Sequence, residues 1–304
     1  MVVAARIGHA TQGSKTGGRV HTRQELVQGL KGIGLRSGDL VMVHSSMRSV
    51  GPILGGPNEM IEALLESVEG SGTVMTYVDW EDGAQRYTRT DRETTLSPAE
   101  MDAWPAFDPR KARADRSYGI LPEFLRTWPG AVRSGNPGAS VAAVGARAEW
   151  VCVDHPLNYG YGPGSPFAKL VEAQGRVLLL GSPLENVTLL HFAEHVARLP
   201  GKRVIRYREK VLRDGKAAWV EIEEFDTADP VVDAAPEDHF DRLMRAYVEQ
   251  AEVSTGMVGS ARTHLLDAEP LHRFALGWLE QHYGGGQHGQ ISDVVASVAP
   301  PRAH

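Results

Sequence analysis

The chain has 304 residues, of which 42% are hydrophobic and 23% are charged, the balance of a globular protein with a large core. Its formal charge of −6 disfavours a nucleic-acid partner, which usually requires a basic surface. The sequence contains neither an apolar run of membrane-spanning length nor a secretory signal. Cys152 is the only cysteine and cannot form an intramolecular disulfide, so we expect a cytoplasmic protein with no membrane partner.

The first half of the chain predicts a parallel pair of strands. A helix is expected to begin after Thr22, a candidate N-cap, and to stop at Gly34. Apolar runs over 39–45 and 72–78 read as buried strands, and they flank a predicted helix over 60–68. A strand, helix, strand order predicts two parallel strands joined by a crossover helix.

The second half predicts a third buried strand and an antiparallel hairpin. The apolar run 175–181 leads into a predicted helix over 188–199, with Thr188 as its cap. Alternating runs flank a turn at 213–215, and we expect this hairpin to extend the main sheet. With helices over 238–251 and 271–283, the fold class is α/β: a mainly parallel central sheet flanked by helices, with antiparallel additions.

We expect a flexible N-terminal arm over 1–20, a single catalytic domain over 21–284 and a flexible tail over 285–304. The polar stretch 79–104 is long for a connection, so the domain could contain a subdomain insertion around 79–130. Residues 221–241 hold nine acidic side chains and no lysine or arginine, a composition more typical of a solvated loop than of a binding site.

Polar residues suited to binding or catalysis follow the predicted strands. Residues 44–51 offer hydroxyls, backbone N–H groups and the guanidinium of Arg48 where open α/β sheets usually bind ligands, although ordinary turn residues give the same pattern. The tetrapeptide DWED at 79–82 places carboxylates beside an indole, which suits an ammonium-rich ligand. The Gly/Pro/Tyr segment 155–166 is typical of a cleft-lining loop or of structural turns.

The segment HFAEH at 191–195 has three interpretations. On a helix, His191, Glu194 and His195 share one face, and the string matches the H-x-x-E-H zinc pattern of inverzincins. Three fixed residues in a chain with 12 histidines, without a firm third ligand, are weak evidence, so we expect no metal. An acid/base site and a polar helix face remain as alternatives.

Six blocks of sequence occur in order between residues 22 and 283. They are SGDLVMVHSSMRSVGP (37–52), GSGTVMTYVDWED (70–82), WPAFDP (104–109), YGPGSP (161–166), GRVLLLGSP (175–183) and TLLHFAEHVARLPGKR (188–203). Together they resemble the aminoglycoside 3-N-acetyltransferase family. The resemblance implies acetyl transfer from acetyl-CoA to the 3-amino group of a 2-deoxystreptamine ring, on a fold distinct from that of the common small acetyltransferases.

The resemblance also implies roles for single residues. His191 is expected to be the general base, oriented by Glu224, while Glu194 and His195 support the helix. Relatives carry a histidine in an R-S-x-H-P segment where this chain has Asn136, so no role of that histidine carries over. The expected substrate-binding residues are Asp79, Glu81, Asp82, Asp226 and Tyr161. The expected residues that bind acetyl-CoA are His44, Ser45, Ser46, Arg48, Ser49, Val50, Gly51 and Thr188.

Acetyl transfer to an amine needs a base, and the sequence offers histidines for that role. An aminoglycoside amine is protonated near neutral pH and must lose a proton before it attacks a thioester, a task for which histidine is suited. We therefore expect an aminoglycoside and acetyl-CoA as partners of a monomer or homodimer. The rival hypotheses are a zinc peptidase of the H-x-x-E-H type and a non-catalytic protein that binds CoA or polyamines.

Overall fold

The computed structural model describes residues 19–93, 95–227 and 230–285. The predicted arm over 1–20 and the predicted tail over 285–304 therefore lie almost wholly outside the described residues. Within those residues, no helix combines the length and the apolar composition needed to cross a membrane.

The strands of the described chain are β1 (Leu40–Ser45), β2 (Thr73–Tyr77), β3 (Val132–Arg133), β4 (Val141–Gly145), β5 (Arg176–Leu180), β6 (Val204–Arg213), β7 (Lys216–Phe225), β8 (Ser254–Val258) and β9 (Ala261–Asp267). Its α-helices are α1 (Arg23–Gly32), α2 (Met47–Val50), α3 (Pro57–Val68), α4 (Gln85–Thr88), α5 (Pro98–Ala103), α6 (Leu121–Arg126), α7 (Ala148–Cys152), α8 (Pro166–Glu172), α9 (Leu189–Val196), α10 (His239–Gln250) and α11 (Ala268–Tyr283).

Seven strands form the main sheet in the order β3-β4-β2-β1-β5-β9-β8. The three central strands are parallel, because β1 pairs in that sense with β2 and with β5. The outer strands pair antiparallel to their neighbours. The predicted fold class is confirmed, with a larger antiparallel share than the sequence pattern indicated.

The β6 and β7 hairpin forms a sheet of its own, so the prediction that it extends the main sheet is wrong. The turn itself is as predicted: Asp214 and Gly215 both have positive φ, as a two-residue turn between twisted strands requires. One face of the hairpin packs Tyr207 and Ile222 against Trp80 and Phe107, and this contact replaces pairing with the main sheet.

Each face of the main sheet carries its own hydrophobic core, because side chains alternate along β1. Leu40 and Met42 point into a core covered by α8, α9, α10 and α11. Val41 and Val43 point into the opposite core, covered by α1, α3 and α6. The helices that follow β1 and β5, namely α3 and α9, thus lie on opposite faces.

The segment around 79–130 holds α4, α5, a short 3-10 helix (Arg116–Tyr118) and α6. The buried carboxylate of Glu209 on β6 anchors its start, accepting hydrogen bonds from the backbone N–H groups of Ala84 (3.0 Å) and Gln85 (2.9 Å). This contact fixes α4 beside the carboxyl end of β2.

Two local predictions at helix starts have opposite outcomes. Thr22 caps α1 through a reciprocal capping box with Glu25, as predicted. Thr188 does not cap α9: its backbone is already helical and its side chain makes no capping hydrogen bond, so that prediction is wrong.

The acidic run 221–241 is a loop only in its middle part. Its ends, 221–225 and 239–241, belong to β7 and α10, while its described residues between 226 and 238 lie outside helices and strands. The ion pairs of its described residues with arginines are Glu223 with Arg206, Asp226 with Arg89, Asp233 with Arg203, Asp238 with Arg242, and Asp241 with Arg245.

Candidate active site

A cleft of about 890 Å³ opens at the carboxyl ends of the three parallel strands. Because α3 and α9 leave for opposite faces of the sheet, the chain diverges between β1 and β5. Open α/β sheets bind ligands at such a switch point. The position of the cleft thus follows from topology, and the residues after each strand determine its chemistry.

Nine of the residues singled out from the sequence line this cleft. His44, Ser45, Ser46 and Arg48 come from β1 and the turn after it, and Asp79 follows β2. Tyr161, Thr188, His191 and Glu224 complete the set. The structure therefore brings residues from five separate segments around one space.

Six of the predicted residues are not part of the described lining. Ser49, Val50 and Gly51 turn away from it: Val50 is fully buried in the sheet core, and Gly51 approaches Ser260. The structure therefore does not bring these three to the cleft, because they form the end of α2 and its C-cap.

The other three are Glu81, Asp82 and Asp226. Glu81 is held by Arg116, which donates from Nε at 2.9 Å and from its backbone N–H at 2.8 Å. Asp226 is buried and paired with Arg89 at 2.9 Å. Asp82 is exposed outside the lining. In this structure none of these three carboxylates lines the cleft, and arginines distant in sequence hold two of them.

His191 forms the central contact of the site. It lies on α9, with its side chain 22% exposed, and its Nδ1 donates a hydrogen bond of 2.8 Å to Oε2 of Glu194. The i, i+3 spacing within one helix makes this contact local. Its Nε2 has no hydrogen-bond partner among the described residues, so its lone pair is available to the cleft.

Glu194 is an ionised carboxylate in a buried position. It is 2% exposed and bridges two histidines, because His239 on α10 donates from Nε2 to its Oε1 at 2.9 Å. Burial alone would raise its pKa, but the hydrogen bonds from His191 and His239 outweigh that effect and lower the pKa of Glu194 to about 2. Glu194 therefore carries its charge throughout the neutral pH range.

Glu224 is oriented toward a different histidine from the one expected. Its Oε1 accepts a 2.6 Å hydrogen bond from Nε2 of His195, and its Oε2 accepts one from the backbone N–H of Gly160. The prediction that Glu224 orients His191 is wrong. Glu194, predicted only to support the helix, is the partner of His191, because it lies one turn away on the same face.

The hydrogen bonds of His195 argue against the zinc site that the H-x-x-E-H pattern suggested. Nδ1 donates to the carbonyl of His191 at 2.7 Å and Nε2 donates to Glu224, so neither has a lone pair for a cation. Among the described residues, no group of three or more histidine, cysteine, aspartate or glutamate side chains is arranged around a possible metal ion.

A carboxyl group among tyrosines forms another wall of the cleft. Asp79 stands at a left-handed backbone position, with φ of 26°, and accepts a hydrogen bond from the N–H of Trp80 at 2.6 Å. Burial raises the pKa of Asp79 to about 7, in spite of that hydrogen bond and of nearby Arg133. The hydroxyls of Tyr77 and Tyr161 meet at 2.7 Å nearby. This wall can accept a cation.

Asn136 has a structural role where relatives were expected to carry a histidine. Its amide donates to the carbonyl of Pro156 at 2.7 Å and accepts from the backbone N–H groups of Gly138 and Ala139. It therefore ties the loop that carries Tyr161 to the segment before β4. Gly138 in turn accepts hydrogen bonds from Tyr77 and Tyr161 in the cleft wall.

Sequence reasoning missed several lining residues, among them Tyr77, Tyr118, Glu185 and Phe240, and it missed His239 behind them. Tyr77 and Glu185 directly end or follow predicted strands, so their position at the sheet edge was a usable signal. His239 lies 45 residues from Glu194 on another helix, and no local pattern connects the two.

Comparisons with known proteins show the family of this chain. The model of the aminoglycoside 3-N-acetyltransferase family matches residues 42–280. An aminoglycoside N(3)-acetyltransferase III of Pseudomonas aeruginosa is 42% identical over 264 residues, which cover 87% of this chain and 95% of the relative. An aminoglycoside N(3)-acetyltransferase VIII of Streptomyces fradiae is 40% identical over 279 residues, covering 90% and 97%.

Solved structures show the same fold. AAC-IIIb in its binary complex with CoASH matches with a TM-score of 0.84 and 45% identity, covering 88% of this chain and all (100%) of that one. AAC-VIa bound to sisomicin matches with a TM-score of 0.83 and 38% identity, covering 88% and 100%.

A histidine held by a buried carboxylate, in a cleft at the switch point of an α/β sheet, has the geometry of a base, and the likenesses identify an acyltransferase. The chain belongs to the aminoglycoside 3-N-acetyltransferase family.

The ring contacts of His195 predict that HFAEH does not hold structural zinc. Protein purified without added metal should contain far less than one zinc per chain by elemental analysis, and EDTA should leave its melting temperature unchanged, because chelation destabilises only proteins that need the metal. One equivalent of zinc per chain, together with a lower melting temperature after chelation, would contradict the hydrogen-bond assignment.

Proposed function

We propose that this enzyme transfers the acetyl group of acetyl-CoA to the 3-amino group of the 2-deoxystreptamine ring of an aminoglycoside, with His191 as general base. The observation that carries the proposal is the His191 contact: Nδ1 is bound to ionised Glu194, and Nε2 is left for the cleft. The relatives' complexes with CoASH and with sisomicin support the two substrates.

The reaction requires a base because the acceptor amine is protonated in water. Nε2 of His191 takes one proton from the ammonium group, and the freed lone pair of the nitrogen bonds to the acetyl carbonyl carbon. The bond between carbon and sulfur then breaks, the second proton lost by the nitrogen passes to the leaving sulfur to give CoASH, and His191 releases its proton to water. Glu194 keeps the Nδ1 proton in place and stabilises the imidazolium formed during transfer.

We place CoA along the turn after β1. Ser45, Ser46 and Arg48 of that turn line the cleft, and Arg48 is exposed. A guanidinium and hydroxyls can bind phosphate and amide oxygens. Thr188 lines the same cleft from the segment after β5, which neighbours β1 in the sheet, so it can contact the same ligand.

We place the aminoglycoside against the carboxylates of the cleft. Asp79 follows β2 and Glu185 follows β5, on either side of β1, and both line the cleft with Glu224. A polycation gains from such groups most where water is excluded. Acetylation of the 3-amino group removes one of its positive charges, which is the basis of antibiotic resistance by this chemistry.

The remaining assignments are also proposals. We propose one catalytic domain over 21–284, in which the segment around 79–130 is a lobe docked on the β6 and β7 hairpin through Trp80 and Phe107. We further propose that the enzyme is cytoplasmic, where its acetyl donor is found, and that it is a monomer or homodimer.

Substitution of the base tests the mechanism. His191→Ala should lower kcat by about 10²–10⁴-fold, the usual contribution of a positioned general base. Glu194→Gln should lower kcat less, because the imidazole remains and loses only its charged partner. The two defects should be far from additive in the double variant. Thiol release from acetyl-CoA, followed with a panel of aminoglycosides, measures these rates.

CoA binding and the melting temperature serve as controls for folding in these variants. An active His191→Ala enzyme would contradict the assignment of the base. Wild-type protein that binds CoA and aminoglycosides but releases no thiol would instead support the non-catalytic binding hypothesis.

Asp79 predicts a pH-dependent affinity for the aminoglycoside. Asp79→Asn should raise KM for the aminoglycoside about tenfold at alkaline pH, the effect of one charged hydrogen bond, and leave KM for acetyl-CoA nearly unchanged. Because its pKa is about 7, Asp79 is ionised above that pH and protonated below it. The difference between wild type and variant should therefore shrink as the pH falls through about 7.

Asp82→Asn is the matched control, since it removes an exposed carboxylate three residues further along the chain, outside the described lining. Steady-state kinetics at several pH values measure both constants for each variant. Equal changes in the two KM values, or the same effect from Asp82→Asn, would show that Asp79 does not bind the aminoglycoside.

A further inference from the structure

His239 is a buried histidine that contacts the base only through a carboxylate. It begins α10, is 6% exposed, and its ring packs on Phe240 with centroids 4.3 Å apart. Its Nε2 lies 2.9 Å from Oε1 of Glu194, and its Nδ1 lies 3.0 Å from the carbonyl oxygen of Pro236. His191 occupies the other oxygen of the same carboxylate.

The partners of His239 determine its charge. A carbonyl oxygen and an ionised carboxylate can only accept hydrogen bonds, so both ring nitrogens of His239 must donate. A histidine with two N–H groups is an imidazolium. His191 differs, because only its Nδ1 faces an acceptor. The carboxylate of Glu194 thus lies between a charged histidine and a neutral one.

The other ionisable groups around this cluster are accounted for. His195, on the same helix, has Glu224 as its counterion at 2.6 Å. Lys202 donates to the carbonyl of His195 at 2.8 Å, lies over the ring of Phe225, and interacts with Glu194 through its charge without a hydrogen bond to it. Tyr161 contacts His191 through its ring, with centroids 5.1 Å apart. His239 is therefore the cation in direct contact with Glu194 while His191 is neutral.

We infer that His239 is a positioning residue for the acetyl transfer: as an imidazolium it fixes the Glu194 carboxylate against His191 and, by its charge, keeps His191 unprotonated until the amine arrives. The inference rests on the proposed function, in which His191 is the base. Without His239, a proton on His191 would face an uncompensated carboxylate and be held more tightly. The base would then be blocked by a proton over a wider range of acidic pH.

His239→Gln separates charge from hydrogen bonding, because the amide can still donate to Glu194 but carries no charge. The acidic limb of the kcat profile should move to higher pH by about one unit, the scale of one nearby charge. The variant should therefore lose about tenfold in kcat on the acidic side of the wild-type midpoint, and retain nearly full kcat at alkaline pH.

His272→Gln is the matched control. The His272 ring stacks on Phe192 of α9 with centroids 4.5 Å apart, so it contacts the same helix without touching Glu194. The pH profile of kcat for His272→Gln should keep the midpoint of the wild-type profile. If His239→Gln lowered kcat equally at every pH, or shifted the midpoint no more than His272→Gln, His239 would be a packing residue and the inference would be wrong.

Nitrogen-15 NMR of labelled histidines tests the inference without any turnover. In resting wild-type enzyme near neutral pH, both nitrogens of His239 should be protonated, and His191 should take up its proton at higher pH in His239→Gln than in wild type. A singly protonated His239 in wild type overturns the inference even if the variant does not fold. Failure of wild-type enzyme to transfer acetyl groups would instead refute the proposed function, and the NMR comparison would still decide whether the two histidines are coupled.

Discussion

The hydrogen bond between Nδ1 of His191 and the buried carboxylate of Glu194 is the interaction on which the site depends. It is made within one turn of α9, so the helix itself sets its geometry. α9 follows β5 directly, and β5 pairs with β1 at the centre of the sheet. His191, the proposed general base, is thereby held at the switch point where the sheet forms its cleft. A charged Glu194 at 2% exposure persists because two histidines donate to it.

Some carboxylates near the cleft are held by arginines outside it, and others line it. Arg116 holds Glu81, and Arg89 holds Asp226, so neither contributes to the described lining. Asp79 lines the cleft in a buried setting, and burial raises its pKa to about 7. An ammonium group that binds there gains a nearby anion in a position with little water, where the attraction is strongest. Of the many acidic residues in the chain, only a few therefore place a carboxylate in the cleft.

Much of the fold could be read from the sequence because its signals are local. Buried strands have continuous apolar runs, which located β1, β2 and β5, and Asp214 with Gly215 marked the hairpin turn. β4 and β9 were not recognised, since β4 (VAAVG) has small side chains and β9 (ARTHLLD) mixes polar with apolar residues instead of forming a continuous apolar run. The docking of the hairpin on Trp80 and Phe107 was also missed, because it depends on contacts between distant segments.

In the site too, the sequence predicted what is local along the chain and missed the contacts between distant segments. Periodicity placed His191, Glu194 and His195 on one face of a helix, but it could not assign a carboxylate to each imidazole. Glu194 and Glu224 are both within reach of that face, and tertiary packing decides that Glu224 binds His195. Arg89 and His239 each reach their partners from a separate element, so no spacing rule in the sequence predicts those contacts.

The most direct test of the account is to follow the acetyl group itself. Enzyme supplied with acetyl-CoA carrying a carbon-13 label and a 2-deoxystreptamine aminoglycoside should place the label on the nitrogen of the 3-amino group, as located by two-dimensional NMR of the product. The His191→Ala enzyme should leave the label on CoA. Label on a different amine, or released as free acetate, would contradict the assignment of this cleft as a site for acetyl transfer to the 3-amino group.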